Sequence, residues 1–168
     1  MAGTSRLAAS ALVAAMTATP ALAVDRVSFA DGSYPPGSVV VRTSERRLYL
    51  VGDDGTALRY VVGVGKPGKQ WSGATEIDGK YDRPAWSPPA DVRRDHPGMA
   101  DVIPGGAPSN PMGVAALTLA GGEYAIHGTN RPASVGTFAS YGCIRMLNDD
   151  VTDLSARVQV GTPVYVTR

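Results

Sequence analysis

The sequence contains very few of the side chains that build disulfides and metal sites. Cys143 is the only cysteine among 168 residues, and His96 and His127 are the only histidines. One thiol cannot form an internal disulfide, and two histidines without partner cysteines do not supply a structural zinc site. We therefore expect neither a metal nor another cofactor, and any chemistry would come from the chain's own side chains.

The sequence also lacks an excess of charge of either sign. It has 16 lysines and arginines against 15 aspartates and glutamates, and the basic residues form no cluster. Proteins that bind nucleic acid carry a basic surface, so the balanced charge argues against that class of partner. The sequence shows no basic amphipathic helix, so a membrane-surface role has no support.

Long hydrophobic runs are absent after the first 23 residues. Residues 1–23 contain a basic residue, an apolar run over residues 7–18 and the small-residue pattern Ala21-Leu22-Ala23. This arrangement is typical of a secretory signal peptide cleaved after Ala23, because the run is too short to span a bilayer. We therefore expect an exported protein of the periplasm or cell envelope, without a lipid anchor or stable membrane insertion.

The pattern of apolar residues predicts a mostly β fold. Runs rich in β-branched and aromatic residues alternate with glycine turns, which is typical of hairpins. The predicted strands are 39–41, 47–51, 57–62, 116–119, 124–127 and 162–167. Turns at residues 52–55 and 121–122 would close two hairpins, and His127 would lie at the end of a strand.

One helix is predicted shortly after the cysteine. Asn148 is a favourable N-cap residue, and Val151, Leu154 and Val158 recur on one helical face. Gly161 would end the helix. The helix would support the segment that carries Cys143.

Residues 66–113 are rich in proline and glycine. This composition excludes regular helix and most interior strand. A disordered linker is one interpretation, but Trp71, Tyr81 and Trp86 are side chains that usually mark burial or ligand contact. Because long loops inside compact domains are usually functional, we expect an ordered lid or wall over a site.

Cys143 lies between small and polar residues, directly after Gly142. A lone cysteine is often an inert buried residue, but an unpaired thiol in an exported protein is a liability unless it reacts. His127 precedes it at a predicted strand end, where a sheet fixes the side chain and a loop leaves it reachable. Cysteine and histidine together indicate an activated nucleophile. An alkylating reagent would test this interpretation, because a low-pKa thiol should react quickly below pH 7, whereas a buried thiol should not.

Several motifs follow one another along the chain, at residues 47–49, 59–65, 71–73, 110–113, 126–130, 140–146 and 148–151. Taken in order, they resemble the L,D-transpeptidase catalytic domain, also called the YkuD or ErfK family. The resemblance covers residues 39–168, which would form one catalytic domain after a lead-in segment at residues 24–38. It implies a β-sandwich-like fold, with one short helix after the cysteine and the Pro/Gly-rich loop over the site.

The resemblance also implies a reaction. Cys143 would attack the carbonyl between the third and fourth residues of a peptidoglycan stem peptide, expel the terminal D-alanine and form a thioester. His127 would act as the base, and the Gly128 carbonyl would orient its ring. The backbone N–H groups of Tyr141, Gly142 and Cys143 would stabilise the oxyanion.

Other motif residues have less specific implied roles. Arg145 matches the family arginine, whose planar fork suits a carboxylate of either the substrate or a structural acid. Ser140, Thr129 and Asn130 would bind substrate or support the site. Tyr141 stands where many members have histidine, and a tyrosine with a pKa of about 10 cannot replace a base at neutral pH.

The acyl acceptor stays open at this point. An amine of a neighbouring stem peptide would give a 3-3 cross-link, and an amine on a wall-attached protein would tether that protein; either activity would serve cell wall biogenesis and cell shape. Water as acceptor would make the enzyme an L,D-carboxypeptidase. A different class of function is a non-catalytic wall-binding module in which Cys143 is buried. A sortase-like or papain-like peptidase would also use cysteine and histidine. The short spacing from His127 to Cys143, in that order, and the glycine before the thiol fit the transpeptidase pattern better.

Overall fold

A computed structural model describes residues 24–122 and 124–168. The predicted signal peptide, residues 1–23, lies outside the described residues. The strands are β1 Asp25–Ser28, β2 Val39–Arg42, β3 Arg47–Val51, β4 Thr56–Val61, β5 Val64–Gly65, β6 Gly73–Asp82, β7 Ala115–Leu119, β8 Ala125–His127, β9 Phe138–Ser140, β10 Ile144–Arg145 and β11 Pro163–Thr167. The α-helices are α1 Ala90–Asp95 and α2 Asn148–Arg157, and Pro132–Ser134 forms a 3-10 turn.

Nine strands form one sheet in the order β1-β4-β3-β2-β11-β6-β7-β8-β10, and β5 pairs separately with β9. β6 joins the two halves of the large sheet, because its first residues pair with β11 and its last residues with β7. One core cluster draws side chains from both halves, including Val39, Leu48, Leu117 and Ile126. The mostly β, sandwich-like fold predicted from the sequence is confirmed.

The first half of the sheet is apolar on both faces. Val39, Val40 and Val41 are all fully buried, although neighbouring residues of a strand point in opposite directions. Val39 and Val41 belong to the main core, whereas Val40 packs in a second cluster with Phe29 and Tyr49. Each such buried side chain stabilises the fold by about 1.5–3 kcal/mol.

Both predicted hairpins and the predicted last strand are present. β3 and β4 pair antiparallel on either side of residues 52–55, and β7 and β8 pair antiparallel on either side of the turn that contains residues 121–122. β1 was not anticipated. It lies in the predicted lead-in segment and pairs with β4, so residues 25–28 extend the sheet.

The prediction that residues 66–113 exclude regular helix and most interior strand is wrong in two places. β6 is ten residues long and lies between β11 and β7 inside the sheet. Residues 68–83 contain no proline, so every backbone N–H can join the ladder. α1 begins directly after Pro89, because proline suits the start of a helix.

α2 lies where a helix was predicted, but its N-cap is Leu147 rather than Asn148. Asn148 is the first helical residue, and its side chain is bonded elsewhere, to the backbone of Thr129. Val151 and Leu154 are buried on the predicted face. Within the described residues, no helix combines the length and apolar character needed to cross a membrane.

Candidate active site

Two neighbouring parallel strands bring the predicted nucleophile and base to one face of the sheet. β8 and β10 pair with Ile144 opposite Ile126 and Arg145 opposite His127. Because side chains alternate along a strand, Cys143, Arg145 and His127 share one face. Ile126 and Ile144 occupy the other face, where both are buried in the core.

Cys143 and His127 line one pocket with a volume of about 190 Å³. Residues 86–112 supply one wall, and residues 127–145 supply the other. We call residues 84–112 the lid. The prediction of an ordered wall over the site is confirmed for this part of the Pro/Gly-rich segment.

The ionisable side chains of the pocket lining, apart from Cys143 and Tyr141, are basic. His96, His127, Arg131 and Arg145 line it, and the lining contributed by the described residues contains no aspartate or glutamate. Nowhere in residues 24–122 and 124–168 do three or more His, Cys, Asp or Glu side chains form a cluster that could hold a metal ion. An anionic group is therefore the ligand that this lining suits best.

The ring of His127 is held by the backbone carbonyl of the next residue. His127 Nδ1 and Gly128 O are 2.6 Å apart. A carbonyl oxygen can only accept a hydrogen bond, so Nδ1 carries the proton and Nε2 keeps the lone pair that a base requires. This contact is the one that the resemblance implied for Gly128.

Burial keeps His127 neutral. The residue is 3% exposed, and burial, followed by the charge of Arg145, lowers its pKa to about 4. The backbone carbonyls of Gly128 and Pro111 act in the opposite direction. These carbonyls would stabilise an imidazolium formed during a reaction, while the resting ring remains ready to accept a proton.

The pKa of the Cys143 thiol bears on the choice between a reactive and a buried cysteine. Burial raises the pKa of this thiol, although the backbone of Ala125 and the charge of Arg145 lower it in part. The residue is nevertheless partly exposed where it lines the pocket. The raised pKa favours the protonated thiol at neutral pH, because the charged sulfur would be desolvated.

Ser140 and Gly142 shape the backbone around Cys143. Ser140 Oγ donates to Cys143 O at 2.6 Å and accepts from the Gly142 N–H at 3.1 Å. Gly142 has a φ of 123°, and a Cβ there would overlap the ring of Tyr124. Glycine is therefore required at this position.

The three N–H groups that the resemblance assigned to the oxyanion differ in their surroundings. The Gly142 N–H already donates to Ser140 Oγ. The N–H groups of Tyr141 and Cys143 have no acceptor within the described part of the chain. These two donors remain available in this conformation.

Trp71 contacts the loop at residues 141–143 and was not assigned a site role from the sequence. Its Nε1 donates to the backbone carbonyl of Gly142 at 2.9 Å. Its ring stacks on Tyr124 with a centroid distance of 4.9 Å and an interplanar angle of 7°. Trp71 belongs to a family-like motif, but only the tertiary structure brings residue 71 to residue 142.

The Arg145 side chain has no ion-pair or hydrogen-bond partner among the described residues. Its Nε is buried without a hydrogen bond, and none of the described acidic side chains forms an ion pair with it. Burial lowers its pKa, and the nearby charge of Arg131 does so too. The sequence suggested either a substrate carboxylate or a structural acid as the partner of Arg145. No acidic side chain in residues 24–122 and 124–168 pairs with it as a structural acid.

Thr129 and Asn130 brace the site in different ways. Thr129 is buried, its N–H donates to Asn148 Oδ1 at 3.0 Å, and its Oγ1 accepts from the Arg131 N–H at 3.0 Å. Asn130 lines the pocket, and its Nδ2 donates to the carbonyl of Pro108 in the lid at 3.1 Å. Thr129 therefore supports the turn after His127, and Asn130 connects that turn to the lid.

Asn110 organises the lid, a role the sequence did not reveal beyond its place in a family-like motif. Its Nδ2 lies 2.9, 3.3 and 3.0 Å from the carbonyls of Pro84, Ile103 and Pro104. Its Oδ1 accepts from the Met112 N–H at 2.9 Å. One buried amide thus joins both ends of the lid to its middle.

Comparison with known proteins agrees with this geometry. A sequence model of the YkuD family, described as the L,D-transpeptidase catalytic domain, matches residues 36–166. The chain is 35% identical over 136 residues to "Probable L,D-transpeptidase ErfK/SrfK" of Escherichia coli (strain K12), a match that covers 76% of this chain and 43% of the relative. It is 36% identical over 135 residues to "Probable L,D-transpeptidase YbiS" of the same strain, covering 75% and 43%. The chain thus spans less than half the length of these curated relatives.

Solved structures share the fold. The catalytic domain of an E. faecium L,D-transpeptidase acylated by ertapenem superposes with a TM-score of 0.61, covering 81% of this chain and all of that domain. The sequence identity is 20%, so the likeness concerns the architecture.

Proposed function

The chain belongs to the YkuD family of L,D-transpeptidase catalytic domains, and on this basis we propose that it transfers an acyl group from a peptidoglycan stem peptide to an amine through a thioester on Cys143. The observation that carries this proposal is the contact between His127 Nδ1 and Gly128 O. It leaves Nε2 as a base in the same pocket as Cys143. A non-catalytic wall-binding module would not need this tautomer.

Acylation starts from a neutral pair. Because the pKa of His127 is lowered and that of Cys143 is raised, the thiol proton passes to Nε2 as the sulfur attacks the carbonyl carbon. The C–S bond forms and the carbonyl electron pair moves to oxygen. Collapse of this intermediate breaks the amide bond, and the His127 imidazolium returns its proton to the departing D-alanine amine, leaving the thioester.

The oxyanion is stabilised by backbone donors next to the sulfur. We assign this role to the N–H groups of Cys143 and Tyr141, which have no acceptor in the described residues. Each such donor contributes about 3 kcal/mol in comparable acyl-transfer sites. Ser140 holds the Gly142 N–H and the Cys143 carbonyl, and so sets the course of this loop.

The basic side of the pocket recognises a carboxylate of the donor. The guanidinium of Arg145 is partly buried, its Nε is unpaired, and Arg131 lies close enough to lower its pKa. A stem tetrapeptide ending in D-alanine carries a terminal carboxylate beside the bond that is cleaved. The described pocket lining contains two arginines and no acidic residue, so it matches the negative charge of the donor's carboxylate.

An amine completes the reaction by attacking the thioester, which forms an amide and returns the proton to Cys143. The amine belongs to a diaminopimelate residue of a neighbouring stem or to a wall-attached protein. Water in its place would release a tripeptide. The proposed place of action is the periplasm or cell envelope, where peptidoglycan lies, and the N-terminal sequence pattern supports export.

Intact-mass spectrometry with product analysis tests the proposal. The protein and the variant Cys143→Ala are incubated with a disaccharide-tetrapeptide ending in D-alanine. A thioester adduct on the unsubstituted protein with cross-linked dimer is expected, and no adduct or product with the variant. Tripeptide without dimer would replace the transferase by a carboxypeptidase, and no adduct with either protein would favour the binding module.

A further inference from the structure

The oxyanion donor on Cys143 belongs to a peptide unit that a side chain from elsewhere in the chain holds in place. Trp71 Nε1 donates to the carbonyl of Gly142 at 2.9 Å. The described chain contains no cis peptide bond, and in a trans peptide the C=O of one residue and the N–H of the next point in opposite directions. The N–H of Cys143 therefore points away from Trp71.

The indole is itself fixed. It stacks on Tyr124 at 4.9 Å, almost parallel, and the Tyr124 ring fills the space where a Cβ on Gly142 would lie. Gly142 is buried and has a positive φ that favours glycine. A flexible glycine peptide is thereby restrained on one face by two aromatic rings and on its carbonyl by one hydrogen bond.

We propose that Trp71 is a positioning residue for the oxyanion hole. Its hydrogen bond to Gly142 O fixes the rotation of the Gly142–Cys143 peptide unit, and so the direction of the Cys143 N–H. Preorganised donors lower the barrier only if they already point to where negative charge develops. Loss of the indole N–H lets this peptide unit rotate, so attack on a carbonyl slows while the thiol itself is unchanged.

Two reactions of the same sulfur separate this role from a structural one. Acylation by p-nitrophenyl acetate passes through a tetrahedral oxyanion: the C–S bond forms, and p-nitrophenolate leaves. Alkylation by iodoacetamide is a displacement at a saturated carbon and forms no oxyanion. Both rates are measured for the mature protein, and the signal from Cys143→Ala is subtracted.

The variants Trp71→Phe and Trp71→Leu complete the design. Phenylalanine keeps a ring to stack on Tyr124 but lacks the N–H, and leucine lacks both. We expect acylation to fall at least tenfold in both variants, with alkylation of Trp71→Phe within about twofold of the unsubstituted protein. Full acylation by Trp71→Phe would show that only packing matters and would overturn the inference. The inference rests on the proposed acyl-transfer chemistry. Because the ester assay does not need peptidoglycan, it still tests the role of Trp71 if the protein fails to act on the tetrapeptide.

A second inference concerns Tyr141, which stands where many family members have histidine. Its hydroxyl donates to Asp95 Oδ2 at 2.5 Å, at the end of α1 in the lid. Lys66 Nζ lies 3.8 Å from the centre of the Tyr141 ring and 3.3 Å from the same Asp95 oxygen. The residue two positions before the nucleophile is thus joined directly to the lid.

A parallel contact lies one helical turn away. Lys69 pairs with Asp91 at the start of α1. Two lysines on the loop after β5 therefore meet two aspartates four residues apart on the helix, and α1 presents Val92 to the pocket. A single exposed ion pair adds little to the stability of a fold. A network in which the Tyr141 hydroxyl and Lys66 share one carboxylate restrains a short helix more firmly.

The geometry points to Tyr141 as the anchor of the lid. Without its hydroxyl, α1 separates more often from the catalytic loop and the donor binds less tightly. Arg93 and Arg94 on α1 are exposed, so trypsin cleavage there reports this opening without any enzymatic assay. Tyr81→Phe is the matched control, because Tyr81 is 54% exposed and its hydroxyl has no hydrogen-bond partner in the described structure.

Trypsin cleavage after Arg93 and Arg94 is compared for Tyr141→Phe, Tyr81→Phe and the unsubstituted protein. We expect Tyr141→Phe to be cleaved at least threefold faster, and its KM for the tetrapeptide to rise more than its kcat falls. Equal cleavage of Tyr141→Phe and Tyr81→Phe would overturn the inference, whether or not the tetrapeptide is a substrate.

Discussion

The side-chain oxygen of Asn148 accepts a hydrogen bond from the backbone N–H of Thr129 at 3.0 Å. This contact joins the first residue of α2 to the turn that follows His127. The same oxygen occupies the space where a Cβ on Gly128 would lie. The turn that orients the imidazole is therefore packed against the helix, and its geometry depends on both residues.

The first prediction concerns Gly128. In Gly128→Ala the new methyl group would overlap Asn148 Oδ1 and approach Met112 O at 3.2 Å, which displaces the carbonyl that holds His127. We expect a loss of about 1–3 kcal/mol in unfolding free energy and a fall in kcat. Urea denaturation and the tetrapeptide assay measure both.

The matched control is Gly32→Ala, because no atom lies within 4 Å of a Cβ at Gly32. This variant should keep the stability and activity of the unsubstituted protein. A Gly128→Ala protein with unchanged kcat would contradict an orienting role for the Gly128 carbonyl.

The second prediction concerns the reactivity of Cys143. Burial raises the pKa of its thiol above the ordinary value, so the thiolate fraction grows only at alkaline pH. The iodoacetamide rate, measured from pH 5 to pH 10 against free cysteine, should rise later than that of the free amino acid. A plateau already reached below pH 7 would show a resting thiolate instead.

The third prediction concerns the pH dependence of stability. The folded pKa of His127, about 4, lies below its ordinary value of 6.5. The unfolded chain therefore binds a proton between these values that the folded chain does not, and stability is lost as the pH falls from about 6.5 to about 4. This single group accounts for about 3 kcal/mol across that range.

His127→Gln isolates this contribution, because glutamine stays neutral at every pH. Groups such as Asp150, whose pKa is raised by burial, titrate in both proteins and cancel in the comparison. Between pH 7 and pH 4.5 the variant should lose less unfolding free energy than the unsubstituted protein. Equal losses in urea denaturation would rule out a buried neutral His127.

The fourth prediction concerns the cost of keeping Arg145. Its partly buried guanidinium has an unpaired Nε, and an apolar side chain of similar length would avoid that desolvation. Arg145→Met should raise the unfolding free energy by about 1 kcal/mol and should weaken binding of the tetrapeptide. Lower stability with unchanged KM would show instead that Arg145 is a structural residue.

The linear sequence was sufficient for most of the secondary structure and for a proposal of which groups react. Alternating apolar residues around glycine turns are a local signal, so β3, β4, β7, β8 and β11 were predictable near their observed positions. Cys143 and His127 could be proposed as nucleophile and base because a cysteine and a histidine in that motif have few other uses. β6 was missed because the prediction used the average composition of residues 66–113, although the prolines of that segment lie outside the strand.

The tertiary structure decided what depends on contacts between distant residues. The protonation of Cys143 and His127 follows from burial, which no spacing in the chain reveals. The bond from Trp71 to Gly142 joins positions far apart in the chain. The bond from Tyr141 to Asp95 likewise exists only after β9 and α1 have been brought together. Residue type determines which groups are available, whereas the fold determines their solvation and partners, and these set the pKa values and the direction of each donor.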